Sequence, residues 1–355
     1  MVVPATGQGA CGGWTLSGGG TASIDTMTYR FTTPVPARAA TGLTAEVYRQ
    51  LREDFLGPLP TFQALAAAPD LLAATWALMR EALLAGDTSR VDREVVASAV
   101  SRANRCRFCV DAHVTLLHAQ GEHELAEVIA RGDTPADPRR AELVRWATAS
   151  RTPGAAGWTS PYGPELTGTL LAFHFLNRIV SALLKPDLLP GGLQRFPAVR
   201  SAGGRFYARA ARAPKTPGRS LPLLDAGTVT PPAWAGDSPV GVAYAALRTV
   251  AAGGGELIGD LARRTVAGAV HWEDGEHPER PAEWATDLVR DLPGSGRVGA
   301  RIALLAAFAP GAITAGDVGL WRLFHPADTD LVRLVAYGAI TATDHVARAL
   351  DPAHR

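Results

Sequence analysis

From Leu43 onward the apolar positions of the chain recur at helical spacing and continue to do so almost to its end. Val47, Leu51 and Phe55 stand at i, i+4 and i+8, one face of a helix. A Gly-Pro-Leu-Pro run at 57–60 breaks it. Asp70 can cap a second helix, whose apolar residues run Leu71, Leu72, Trp76, Met79 and Leu83 to a stop at Gly86. Ser89 and Asp92 then resemble a capping box ahead of Val95, Val96, Ala99 and Val100. The pattern resumes at about Cys106 and runs to Gln120, with Val110, Val114 and Leu117 on one face and Gly121 as the stop. Short helices are predicted over 124–131 and 139–150. A long apolar helix over 165–184 follows a Gly/Pro-rich loop at 153–164. Further helices are predicted over 240–252, 257–272, 282–291, 300–308 and 329–350. No window alternates convincingly with period two and β-branched runs are short, so the expected fold class is all-α.

The helical pattern lapses twice. Residues 1–26 are rich in Gly, Thr and Ser, without the basic start and continuous apolar segment of a signal peptide. The stretch 1–40 is read as a disordered tail, with Met27 as a candidate true start and no role for Cys11. Residues 186–239 are rich in Pro, Gly and Arg, and read as a linker over the surface with a short helix near 205–212. The basic stretch 195–219 reads as solvated rather than as an anion site. Two helical units remain, 41–185 and 240–355. A weak repeat relates them: 77–86 faces 246–254, Gly-Glu-His recurs at 121 and 275, and 177–184 faces 344–350. The second unit carries no cysteine, so any redox site is single.

Composition narrows the function. At 355 residues the prior is two or three domains, and 47% hydrophobic with 19% charged residues supplies a packed core. A net charge of +1 gives no general attraction to nucleic acid or to a membrane surface. No run of 18 apolar residues calls for a membrane-spanning helix. Three cysteines do not make a disulfide scaffold. Two of them, Cys106 and Cys109, form a C-x-x-C, which fits a redox or metal site in a reducing compartment such as the cytoplasm.

The chemistry gathers in 94–113. Cys106 and Cys109 at i and i+3 lie on one helical turn and can bond to each other reversibly. If the helix starts near 104–106, Cys109 falls in its first turn, where free N–H groups and the positive dipole end favour a thiolate. Arg105 and Arg107 add positive charge. His113, at i+4 from Cys109, reaches the same face and can relay a proton. Glu94 sits on the preceding helix in a polar stripe with Ser98, Ser101 and Arg105, suited to general base work. These parts allow a thiol peroxidase cycle. Deprotonated Cys109 attacks a hydroperoxide and becomes a sulfenic acid, Cys106 condenses with it, and a dithiol donor reduces the disulfide. Other readings stay open on the residues alone. Cys106, Cys109 and His113, with His118 or a distant residue as fourth ligand, could hold zinc. Glu94 taken alone reads as a solvated helix residue or a structural hydrogen-bond partner, and His113 as a satisfied packing residue. The whole could be a non-catalytic redox sensor.

The pattern Glu-x11-Cys-x2-Cys-x3-His, set in S-R-A-N-R-C-R-F-C-V-D-A-H, resembles the carboxymuconolactone decarboxylase superfamily in its AhpD-like alkylhydroperoxidase branch. The segment 172–183, A-F-H-F-L-N-R-I-V-S-A-L, is similar to that branch's closing helix with its Asn-Arg pair. The resemblance covers about 40–185 and is faint over 240–350, as for a degenerate second copy. It implies an all-helical fold whose C-x-x-C opens a buried helix, and peroxidase or disulfide-reductase activity without metal or haem. It implies Cys109 as peroxidatic cysteine, Cys106 as resolving cysteine, Glu94 as the base that starts the proton relay and His113 as its other end. A hydroperoxide and a dithiol donor of lipoyl type are the implied partners, and an oligomer of pseudo-dimeric protomers the implied assembly. Some members carry His just before the second cysteine. Phe108 holds that place here, which implies a shorter or water-assisted relay. Lactone decarboxylation is less expected, because that branch typically lacks the C-x-x-C.

Overall fold

The protein is described from a computed structural model over residues 28–154, 158–225 and 229–350. Its first half follows the sequence closely. Helix α1 (Gly42–Asp54) buries Val47, Tyr48 and Leu51 on one face. Helix α2 (Pro69–Met79) starts on a proline, whose missing N–H is one a first turn leaves unpaired anyway, and passes into a π-helical turn at Arg80–Leu84. The Ser89 hydroxyl accepts the Asp92 N–H at 3.4 Å and caps α3 (Arg90–Ala103). Helix α4 (Arg107–Gln120) ends where Gly121 adopts a left-handed φ of 94°. Helices α5 (His123–Arg131), α6 (Pro138–Ala149) and α7 (Pro164–Leu183) complete this half. By length and composition α7 could cross a membrane. Within the protein, 94% of its most apolar window is buried, and it serves as the central core helix.

Two expectations need correction. Of the stretch 1–40 read as a disordered tail, residues 28–40 are packed. Tyr29 is buried, and backbone bonds join Arg30 N–H to Leu183 O and Lys185 N–H to Thr28 O, both at 2.9 Å. The Arg30 guanidinium donates to Ser181 O at 2.8 Å, Ala182 O at 3.0 Å and Gly311 O at 3.2 Å, and also to Ile313 O, so it ties the two halves. Cys11 and the Met27 start lie outside the described residues. The second correction concerns the linker, which holds a 16-residue helix, α8 (Pro197–Arg212), packed along α4. Gly203 and Gly204 read as loop residues, yet they are what allow the approach. A Cβ at 204 would stand 2.6 Å from His118 Cβ and 2.9 Å from Ala119 N. Nor is this basic stretch wholly solvated. Arg200 is buried, paired with Glu127, and donates to Arg195 O at 2.9 Å.

The second half consists of α9 (Pro239–Ala252), α10 (Gly259–Glu273), α11 (Pro281–Leu288), α12 (Gly294–Phe308), α13 (Ala315–Arg322) and α14 (Asp328–Arg348). Thr314 and Asp317 form a reciprocal capping box at α13. The fold is all-α. Among the described residues the only β pairing is a single antiparallel bridge, Tyr29 to Leu184. One continuous hydrophobic core runs through both halves. The segments matched in the sequence repeat fall at the ends of α2 and α9 and of α7 and α14. Within each pair the two helices pack on one another. α7 also packs on α9, and Gly168 of α7 admits that contact, since a Cβ there would lie 2.2 Å from Val240 Cγ1.

Candidate active site

The turn between α3 and α4 sets the cysteines. Cys106 N–H donates to Ser101 O and Arg105 N–H to Arg102 O, both at 2.9 Å, the paired bonds of a Schellman ending. The position that normally takes glycine in this motif is Arg105, held at φ 56°. Cys106 is thus the second residue past Asn104, the C-cap of α3, and the N-cap of α4. Cys109 is the third residue of α4, inside the first turn as expected. The two are joined as a disulfide, with Cα atoms 5.4 Å apart. Both are buried, at 2% and 5% exposure.

Glu94 is fully buried, which removes its reading as a solvated helix residue. Its Oε2 lies 2.6 Å from His113 Nδ1, and its Oε1 accepts from Arg90 Nε at 2.8 Å. The His113 N–H at Nδ1 therefore faces the carboxylate and leaves Nε2 as the basic nitrogen of the neutral ring. The Phe173 ring of α7 stands edge-on to His113, centroids 4.3 Å apart, and fixes its plane. Burial pushes the Glu94 carboxyl up, but the charges of Arg90 and His113, with their hydrogen bonds, outweigh it. Glu94 titrates below the usual carboxylate range. Ser98 and Ser101 continue the stripe inward. Each returns its hydroxyl to the carbonyl four residues back, and Ser101 also lies 3.0 Å from Asn177 Oδ1.

The structure thus gathers all four candidates onto α3 and the first two turns of α4: the cysteines as a bonded pair, Glu94 and His113 as a hydrogen-bonded pair. The zinc set is not gathered. His118 Nδ1 lies 2.9 Å from His123 Nδ1 and its Nε2 lies 2.9 Å from Glu127. Among the described residues no three His, Cys, Asp or Glu side chains converge as a metal site.

Behind Cys106 lies a polar network absent from the candidates read from the sequence. His174 of α7 is fully buried, and burial, then Arg178 and Arg151, push its pKa well down, so it is neutral. The Ser150 hydroxyl donates to Ala147 O at 2.7 Å, so it accepts from His174 Nε2–H at 2.8 Å. His174 Nδ1 then accepts from Asn104 Nδ2 and from Arg178 Nη1, each at 3.3 Å. Asn104 Oδ1 accepts from Arg151 at 3.0 Å, and Arg178 Nε donates to Ala307 O at 2.8 Å. Arg151 reaches Phe308 O at 3.3 Å and His277 Nδ1 at 3.4 Å, while His277 Nε2–H donates to Ala103 O at 3.0 Å. The second half therefore supports the turn that carries Cys106. One sequence signal could have found the network: His174 and Arg178, i and i+4, interrupt an otherwise apolar helix. His277 was noticed only as part of the Gly-Glu-His repeat.

His277 gives a pH prediction. Burial first, then Arg151, hold its pKa down at about 4. The unfolded chain binds a proton on this imidazole below about pH 6.5, where the folded chain does not. Its contribution to stability is therefore lost as pH falls from about 6.5 toward 4. His277→Gln keeps an amide donor for Ala103 O and an acceptor for Arg151 without titrating. Urea midpoints of this variant should fall less steeply than those of the wild type across that window.

An all-helical protein with a buried disulfide at a helix N-terminus, backed by a carboxylate–imidazole pair, belongs to the class of helical thiol–disulfide proteins. The comparisons place it within that class. Residues 69–149 match the carboxymuconolactone decarboxylase family, a span that runs from the start of α2 to the end of α6 and includes Glu94, both cysteines and His113. A Mycobacterium tuberculosis protein named alkyl hydroperoxide reductase is 38% identical over 324 residues, covering 88% of this chain and 92% of that one. The chain belongs to the carboxymuconolactone decarboxylase family, and the likeness extends well beyond the matched domain, across both halves. No solved structure matches the chain significantly.

Proposed function

We propose that the protein is a thiol-dependent alkyl hydroperoxide reductase. One observation carries the reading: a C-x-x-C pair bonded as a disulfide in the first turn of α4, with the Glu94–His113 pair on the same two helices. In the cycle the Cys109 thiolate, stabilised by the α4 N-terminus, attacks the terminal oxygen of the hydroperoxide. The O–O bond breaks, and the departing alkoxide takes back the proton that the Cys109 thiol gave up to the Glu94–His113 pair on ionising, and leaves as the alcohol. Cys106 then attacks the Cys109 sulfenic acid, and water leaves as the disulfide forms. A dithiol donor, lipoyl-type in chemistry, reduces the pair in two exchange steps. The reducing cytoplasm supplies such donors. The relative's name and the family support the reaction class, and the pseudo-dimeric chain is read as the building block of a larger oligomer.

The test uses the pre-reduced protein and one equivalent of an alkyl hydroperoxide. One equivalent of alcohol and a Cys106–Cys109 disulfide, read by mass spectrometry after alkylation, are expected. Unconsumed hydroperoxide, with both thiols still free, overturns the reading.

A further inference from the structure

Helix α8 covers α4 with one face and turns the other outward. Gly204 and Ala211 are buried on the side toward α4, while Ala198, Ala202, Arg205, Phe206, Arg209 and Arg212 are all exposed. These six stand at i, i+4, i+7, i+8, i+11 and i+14, which is one continuous stripe of the helix. Phe206 is 81% exposed and sits between Arg205 and Arg209. Arg205 donates to Ser201 Oγ at 3.0 Å and Arg212 to Ala119 O at 2.7 Å, and neither meets a carboxylate among the described residues. At the N-terminal end of α8, Leu193 and Phe196 are exposed as well, at 50% and 59%.

The charge over this face has one sign because the chain supplies no acid to it. From 188 to 224 the sequence contains no Asp or Glu. Of its basic residues, Arg200 pairs with Glu127, and Arg219 with Glu53 and Asp54. Arg195, Arg205, Arg209 and Arg212 are left exposed. The whole-chain charge of +1 therefore hides a local excess. The other group of exposed apolar residues, Leu320, Leu323 and Phe324 at the end of α13, lacks such a field. There Arg322 pairs with Asp328 at 2.7 Å and His325 lies 3.8 Å from Asp330.

We propose that the outer face of α8 docks on an anionic lipid membrane. Phe206, with Leu193 and Phe196, enters the boundary between head groups and acyl chains, and the flanking arginines hold their guanidinium groups at the level of the lipid phosphates. Large apolar side chains standing in water beside arginines serve no purely ionic contact, whereas a bilayer interface takes both. A second copy docked through this same face would set Arg205 and Arg209 against their own like charges. Residues 1–27, outside the described residues, bring a single acid, Asp25. The face also adjoins the entrance to the active site. Arg195, just ahead of α8, and Arg107, in the first turn of α4, share Asp187, at 3.4 and 2.7 Å. Arg107 lines a cavity of about 410 Å³, walled by both halves, that opens on Cys106. Docking thus brings the cysteine pair to the surface into which apolar hydroperoxides partition, although the docking itself does not rest on the peroxidase reading.

The experiment floats the full-length protein with vesicles of phosphatidylcholine, alone or mixed with phosphatidylglycerol, in the absence of hydroperoxide and thiol. Binding to the mixed vesicles should be at least about tenfold tighter than to the neutral ones, and should weaken as salt is added. Phe206→Ala should weaken it about tenfold by removing apolar burial. Arg205→Gln/Arg209→Gln should weaken it about tenfold or more by removing two charges at the lipid surface. All three side chains are exposed, so urea midpoints should match the wild type, which separates lost binding from lost fold. Absence of vesicle binding, equal binding to both vesicle types, or binding unchanged in either variant overturns the inference. Two further outcomes in place of vesicle binding do so as well. An oligomer in lipid-free solution that Phe206→Ala dissociates would give the face to a second copy. Tight binding of a single-stranded RNA would give it to nucleic acid. Because no hydroperoxide is present, the docking stands or falls separately from peroxidase activity.

Discussion

Cys109→Ser should abolish turnover of an alkyl hydroperoxide supplied with a dithiol donor, while Cys106→Ser should reduce one equivalent and stop. The asymmetry follows from the roles proposed for the two sulfurs. Removing Cys109 removes the nucleophile, and the alcohol that replaces it is not ionised at neutral pH. Removing Cys106 leaves the nucleophile but no partner to condense with its sulfenic acid, which persists or oxidises further. Steady-state peroxide consumption and mass spectrometry of the trapped sulfenic acid measure both outcomes. Wild-type rates in both variants would remove the thiol mechanism and favour a proton-transfer reaction of the lactone decarboxylase kind.

The second large effect is expected at Glu94. Glu94→Gln keeps the shape and one hydrogen bond to His113 but deletes the buried carboxylate that Arg90 and His113 both bond. Breaking a buried pair in this way typically costs about 3 kcal/mol, and loss of a positioned acid–base group costs about a hundredfold in rate. The variant should therefore show a lower denaturant midpoint and a hydroperoxide kcat/KM down by about two orders of magnitude. The disulfide should still form with a chemical oxidant. The acid limb of stability should change as well. Glu94 titrates lower in the folded chain than in the unfolded one. Its stabilising contribution is thus fully present above the ordinary carboxylate range and is lost as pH falls through its depressed folded value. Glu94→Gln should lose that part of the acid dependence. Full activity in the variant would show that the relay does not pass through Glu94.

Phe108 illustrates how a residue read from sequence changes meaning in three dimensions. In the sequence it is the position where some relatives carry a histidine, and so a missing relay group. In the structure it is a buried apolar residue that lines the cavity opening on Cys106. The Glu94–His113 bond does not need a third member between the cysteines, since Glu94 reaches the imidazole directly at 2.6 Å.

Local information was enough for the all-α class, for Ser89 as a helix cap, for Gly121 as a stop, and for the closeness of Cys106 to Cys109 in the first turn of α4. Each depends on spacing along one helix or across one short turn, where residue separation fixes geometry. Tertiary structure alone decided the rest. Gly203 and Gly204 read as loop residues because glycine is a poor helix former, and only the presence of α4 alongside turns their missing side chains into a packing surface. Arg151, His174, Arg178 and His277 come from three separate segments. Each looks like an ordinary polar residue until burial forces it to find a partner. The cavity on Cys106 has walls from both halves, so no sequence window contains it. A motif can be read where the chain is its own neighbour, but a binding site built from distant residues exists only once they have been packed together.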